Sequence, residues 1–395
     1  MTPGAEPELA RELLSFCLPP PRSAQPPAFT APAASARTDW DALIRLSIEQ
    51  GVAPLLAVRT RQLRLPVAAR ERLESIYSSN SIRNLRLAAE ESRISAALSA
   101  ASLRHWPLKG PGLSERLYGD IGVRQVADLD LLVEPAGLGR ADSLLAELGY
   151  TRHTDGSIES LSSAQELIYV RSLASSPSSP VTSHKTPGTA FHLDLHQRLL
   201  PYVRRDPLAA SVFAAGMTKE NVLLYLCANQ ITHRFARLRY LCDVAAFLAG
   251  EGGAVDWDAL LALARRMPWG PGIGFALGWA DRYMPRVVPP HVLHALRPNP
   301  LGNMLLRHSL GAGAADAVSR TRLLDGPGGA SVSLGAAYLG RPSAAAIAWQ
   351  MMFPSRAYLR EQTGAPEDAP LASAYAARLL RKIPGALRQL LKPAP

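Results

Sequence analysis

The chain has 395 residues, of which 47% are hydrophobic, enough for more than one sizeable core. Its formal net charge is +10, with 43 Lys and Arg against 33 Asp and Glu, which suits a polyanionic partner, a nucleotide or an acidic surface, or else reflects a coding bias toward Arg. Three cysteines make no disulfide framework, and neither a signal peptide nor an apolar run long enough to span a bilayer is visible, so a reducing cytoplasm is the expected setting.

Residues 1–38 open with a short helix at 6–16 and continue through Leu18-Pro19-Pro20-Pro21 into Pro- and Ala-rich sequence, which predicts a mobile lead-in. An N-terminal helical region is expected over 39–84. Asp39 is placed to cap a helix that buries Trp40, Leu43, Ile44 and Ile48. The next helix is predicted at about 67–98, with Leu73, Ile76, Tyr77, Ile82, Leu85 and Leu87 as its apolar positions; Asn84 and Arg86 on it read as surface residues, with placement toward a functional site as the alternative.

Residues 105–108 read as a short strand that runs into Lys109-Gly110-Pro111-Gly112 and a helix beginning near Leu113. A second strand follows in Asp128-Leu129-Asp130-Leu131-Leu132-Val133. An amphipathic helix is predicted at 140–148, closed by Gly149, and another strand at 166–170. Residues 171–190 are rich in Ser, Pro and Thr and form a long loop, read either as a lid or as a tolerated insertion. It leads to a strand at 191–196. From Asn221 apolar residues from Leu224 to Ala245 recur at three and four, with Cys227 and Cys242 among the core positions. A helix is expected at 257–267. The Gly- and Pro-rich stretch 270–340 offers 292–296 and 301–310 as its best segments, and 344–391 reads as basic helices.

The chemistry gathers in two strands. Side chains alternate faces along a strand, so Asp128 and Asp130 share one side while Leu129 and Leu131 share the other. The same period puts His192, Asp194 and His196 together. The two histidines and the acid read as a packed polar face rather than a zinc site. Neighbouring carboxylates repel unless a cation or proton lies between them, and hard oxygen donors suit Mg2+ or Mn2+. If the strands are neighbours, Asp128, Asp130 and Asp194 are a candidate two-metal set for in-line transfer at phosphorus. As an uncompensated acidic cluster, it predicts that Asp130→Asn leaves stability unchanged or raises it. Lys109 and Gly110, before a helix N-terminus, are candidate phosphate contacts, and Lys109→Ala is expected to raise the apparent KM for NTP with the fold intact. His196, on the face of Asp194, is a candidate acceptor or phosphate contact; His233, Arg234, Arg237 and Arg239 interleave with the apolar positions of the later helical segment as a basic face that either binds triphosphate or an acceptor or only solvates the outside.

A glycine turn, an Asp-x-Asp strand and a third acid on a later strand resemble the polymerase-beta-like nucleotidyltransferases. The stretch LKGPGLSERLYGDIGVRQVADLDLLV at 108–133 is more closely similar to the bacterial uncharacterised nucleotidyltransferase family. So are LDLHQRL at 193–199, HRFARLRYLCDVAAFL at 233–248 and FPSRAYLREQTG at 353–364, over a span from about Trp40 to about Leu390. The resemblance implies an α+β nucleotidyltransferase domain at 85–205, with a C-terminal helical domain at 206–395. It implies transfer of a nucleoside monophosphate from an NTP to an acceptor (peptide, sugar, RNA or small metabolite), with release of pyrophosphate. Asp128, Asp130 and Asp194 would hold the metal, and Lys109, Gly110, Ser114 and Arg124 the triphosphate. The superfamily usually has Ser or Gly after the glycine; here Pro111 stands, without an N–H. The alternatives are a nucleotide-binding or scaffold protein without turnover, and an RNA-binding protein that uses the basic C-terminal helices.

Overall fold

The structure is a computed structural model that describes residues 5–19, 38–152, 166–172, 190–200 and 206–300, except 234, 236 and 268. The predicted lid loop, the segment at 301–310 and the basic C-terminal helices lie outside the described residues.

Helix α1 (Ala5–Cys17) buries Leu9, Ala10, Leu13, Leu14, Phe16 and Cys17, so the start of the expected lead-in is a core helix. In α2 (Trp40–Glu49), Asp39 caps as expected, accepting the Ala42 N–H at 3.0 Å. Trp40, Leu43 and Ile44 go inside, but Ile48 is exposed. Helix α3 (Ala53–Thr60) leads to α4 (Val67–Ala100), which is continuous across residues 84 and 85. The expected regional boundary therefore falls inside one helix. Its apolar positions divide: Leu73 and Leu87 are buried, whereas Ile82 and Leu85 are exposed.

The sheet has five strands in the order β1 (His105–Lys109), β2 (Leu129–Val133), β5 (Ala190–His196), β4 (Glu166–Ser172) and β3 (Thr151–Arg152). β2 and β5 run parallel; the other neighbours are antiparallel. Period two decides what each face carries. Leu129, Leu131, Val133, Leu193 and Leu195 pack with Leu87, Ile94 and Leu98 of α4 and Ala141 and Leu145 of α6 (Leu138–Glu147). Burying a leucine contributes about 2 kcal/mol, so this leucine pattern fixes which face is turned inward. A one-residue slip would turn the leucines away from α4 and bury the acids against it.

The opposite face meets the C-terminal helices. Leu108 and Leu132 join a core shared by α1, α2, α5 (Pro111–Tyr118), α7 (Pro207–Ala215), α8 (Lys219–Thr232), α9 (Leu238–Glu251), α10 (Trp257–Arg266) and α11 (Gly270–Tyr283). Helix α12 (Pro290–Ala295) closes the described region. The helical run predicted from 221 is two helices. Between them the chain turns at Phe235, whose φ is +57°. N-terminal and C-terminal helices thus share one core around the sheet, and Cys17, Cys227 and Cys242 are all buried. Among the described residues, no helix is long and apolar enough to cross a membrane.

Candidate functional site

The parallel register of β2 and β5 pairs Asp130 with Asp194. Paired positions on neighbouring strands share a face, so the two acids project to the same side. Asp128, half-buried, precedes β2 by one residue and lines a neighbouring cleft.

The turn from β1 contributes a feature that strict alternation does not anticipate. Trp106 pairs with Leu132 and Pro107 with Leu131, but Lys109, not Leu108, pairs with Asp130. A β-bulge inserts one residue and re-aims the next side chain. Lys109 Nζ consequently lies 3.1 Å from Asp130 Oδ1, and His196 Nε2 lies 2.9 Å from the same oxygen. Asp130 is only 1% exposed. Burial alone would raise its pKa; Lys109 and the bond to His196 overcome this and hold the carboxyl well below the usual range. Burial likewise works against the Lys109 charge, but Asp130 outweighs it, with further contributions from Tyr225 and Asp128, and the ammonium is held above the ordinary lysine value.

Asp130 is therefore a compensated acid, which reverses the expectation for Asp130→Asn: removing its charge strands a buried ammonium. Lys109→Ala would in turn strand the carboxylate, so the fold is not expected to be indifferent to it. Asp130 Oδ2 is buried and has no hydrogen-bond partner among the described residues.

Gly110 follows with φ +133°, a conformation that L side chains rarely adopt. A Cβ there would sit 3.0 Å from Glu91 Oε2 on α4. Helix α5 begins at Pro111, two residues before the expected start. Proline is accepted at this first position because its N–H would have no helical partner. Glu91 was not among the candidates read from the sequence. Burial, then repulsion from Asp130, pushes its carboxyl up to about 7.

Two expected triphosphate contacts are engaged in the scaffold. The buried Ser114 hydroxyl donates to the Asp120 carbonyl at 2.8 Å and accepts the Arg124 N–H at 3.0 Å. The Arg124 guanidinium is buried 2.9 Å from Asp243 Oδ2, while Tyr118 donates to Asp243 Oδ1 at 3.0 Å. Asp243 thus pins α5 and the following loop to α9. Asn80 and Asn84, one turn apart on α4, secure the same loop. Asn80 donates to the carbonyls of Gly122 (2.7 Å) and Arg124 (3.0 Å), and Asn84 to those of Ile121 (2.6 Å) and Arg124 (2.8 Å). Asn84 is buried, not on the surface as expected. These bonds fix the stretch that delivers Asp128.

The cleft beside Asp128 encloses about 440 Å³. One wall is a stripe of α4: Ser79, Ile82, Arg83, Arg86 and Leu87. This spacing of three and four residues puts one face of a helix toward the cavity. Arg86 is exposed, as expected, and lines the cleft as well. Facing it are Lys109, His192, His233, Arg237 and Arg239. His233 stacks on Tyr240 with ring centroids 4.7 Å apart. Burial, then Lys109 and Arg239, depresses the imidazole to about 3, so it is neutral near pH 7. His196 instead serves Asp130. The structure therefore brings Asp128, Asp130, Asp194, Lys109, Gly110, His196 and His233 to one region and diverts the side chains of Ser114 and Arg124 elsewhere.

An acid pair in register on adjacent strands, beside a cationic cleft on a mixed α/β scaffold, is compatible with a nucleotidyltransferase domain. The chain belongs to the uncharacterised nucleotidyltransferase family, whose model matches residues 36–285. The match ends short of the segment at 353–364, so the family likeness covers less of the chain than the sequence reading expects. No curated protein and no solved structure matches the chain.

Proposed function

We propose that the protein transfers a nucleoside monophosphate from an NTP to an acceptor, with release of pyrophosphate, on a polymerase-beta-like scaffold. The observation that carries this reading is the register of Asp130 with Asp194, beside Asp128 at a cationic cleft. Family membership supports the reaction class and an NTP substrate.

Metal dependence fits the donor chemistry. Asp130 Oδ2 is an orphaned, buried carboxylate oxygen, Asp194 in register with it adds a hard oxygen donor, and Asp128 lines the neighbouring cleft. Among the described residues, however, no group of three or more His, Cys, Asp and Glu is arranged to hold an ion. The donor set is consistent with Mg2+ or Mn2+ that enters with the nucleotide rather than with a preformed two-ion cage. Bound there, such an ion would supply charge neutralisation at phosphorus. The chain's own contributions are separate. Lys109 and His196 hold Asp130 ionised and fixed, while Asp194 would favour deprotonation of an acceptor hydroxyl.

Label transfer tests the reading: the protein is incubated with α-phosphate-labelled NTPs and peptide, sugar, RNA or small-metabolite acceptors. Label on one acceptor class supports it, and label on none opposes it. Nucleotide binding without turnover is the second reading. It is favoured by Asp130 Oδ1, which already receives both Lys109 and His196. That outcome would appear as NTP binding without pyrophosphate release.

A further inference from the structure

The side chains that the sequence nominates to hold a triphosphate are largely committed elsewhere. Lys109 is paired with Asp130, Ser114 bridges Asp120 and Arg124, and Arg124 is buried against Asp243. Pro111 has no N–H to offer. Cations do converge at the adjacent cleft. Arg83 and Arg86 lie three residues apart on the α4 stripe, and Arg237, from the turn between α8 and α9, is on the same lining; Arg83 is half-buried and the other two are exposed. Among the described residues the guanidinium groups of these three arginines make no hydrogen bond and no ion pair, whereas those of Arg93, Arg116, Arg124 and Arg171 are tied to carboxylates.

Unpaired arginines of like charge facing one cavity repel each other, and an anion between them relieves that repulsion. The guanidinium fork matches phosphate oxygens in pairs, a geometry that a lysine point charge does not reproduce. The volume of about 440 Å³ is within the range of small-molecule sites. Asp128, on the same lining, would stand at the end of the cleft where the acids gather. The chemistry that this surface recognises is therefore a chain of phosphates leading toward the carboxylates.

We propose that Arg83 and Arg86 of α4, with Arg237 of the same lining, form the seat for the β- and γ-phosphates of the NTP, in place of the glycine turn. This assignment rests on the nucleotidyl-transfer reading for the identity of the ligand, but its test does not depend on turnover. Titration calorimetry without divalent metal would compare inorganic tripolyphosphate, the four NTPs and the matching monophosphates. The proteins are wild type, Arg83→Gln, Arg86→Gln, the double variant, and Arg72→Gln as an exposed control on the same helix.

Each cleft arginine is expected to contribute roughly tenfold to triphosphate affinity, a typical size for a charge-assisted bond to phosphate. The double variant should bind tripolyphosphate and NTP about 100-fold more weakly, with a much smaller effect on the monophosphates and none from Arg72→Gln. Wild-type affinity in the double variant, or no tripolyphosphate binding by the wild type, would overturn the seat. So would a single-stranded oligonucleotide that loses more affinity than NTP, which would assign the arginines to a nucleic-acid backbone. Pyrophosphate release run in parallel separates the two claims. If binding follows expectation while wild type releases none, the seat stands and the transfer reading falls. Release with an unchanged KM in the double variant would remove the seat and leave the transfer reading intact.

Discussion

Asp130→Asn is the most informative single change in the scaffold. The substitution keeps shape and one hydrogen-bonding oxygen, but it removes the charge that holds Lys109 Nζ at 3.1 Å and His196 Nε2 at 2.9 Å. Breaking one side of a buried ion pair costs about 3–5 kcal/mol, because the partner charge stays behind unpaired. Two features argue for the lower end. Lys109 keeps 21% of its side-chain exposure, and the asparagine oxygen can still accept from its neighbours. Repulsion of Glu91 by Asp130 also disappears, which offsets part of the loss. A net cost of about 3 kcal/mol corresponds to a fall of roughly 5–10 °C in Tm for a domain of this size class. Urea unfolding of wild type, Asp130→Asn, Lys109→Met and the double variant measures it. The double variant should lose less than the sum of the singles, by about 1–3 kcal/mol. An Asp130→Asn protein as stable as wild type, or more so, would refute the compensated-acid reasoning.

Three further outcomes follow from the same geometry. Asp243→Ala leaves the Arg124 guanidinium buried without its acid and should destabilise the fold by about 3–5 kcal/mol, read by denaturant unfolding. Gly110→Ala places a Cβ in a positive-φ turn against Glu91 and should cost about 1–2 kcal/mol, read the same way. His233 has a folded pKa depressed to about 3, so its contribution is present above the ordinary histidine value and is lost as pH falls from about 6.5 toward 3. Stability measured at pH 7.5 and pH 5 should drop less in His233→Gln than in wild type; an equal drop would contradict a half-buried, neutral imidazole.

The strand architecture was legible because alternation is a property of the chain itself. The leucines of 129–133 and 193–195 announce which face is buried, and with it the acids on the other. Asp39 as a cap and Gly149, at φ +82° after α6, were legible for the same local reason. What was not legible depends on partners distant in sequence. The bulge at Leu108 breaks the period that the reading relies on, so Lys109 looked like a phosphate contact rather than the counter-ion of Asp130. Asn84 looked exposed because its partners are carbonyls about 40 residues later in the chain. Ile82 reads as a core position although it is exposed and lines the cleft, which hid Arg83 beside it. The break between α8 and α9 falls at Phe235, a residue type that does not advertise a left-handed turn.

The central claim is that the acids at the end of the cleft carry nucleotidyl transfer. Asp128 tests it best, because it is only half-buried and lines the cleft, whereas Asp130 is bound up with the fold. The measurement is pyrophosphate release with Mg2+ and each NTP in turn, in the presence of acceptor, for wild type and Asp128→Asn, with Tm recorded for both. The account predicts metal-dependent release by wild type with at least one NTP, and a loss of about 100-fold or more in Asp128→Asn at nearly unchanged Tm. No release by wild type with any NTP, or an undiminished rate in Asp128→Asn, would contradict it.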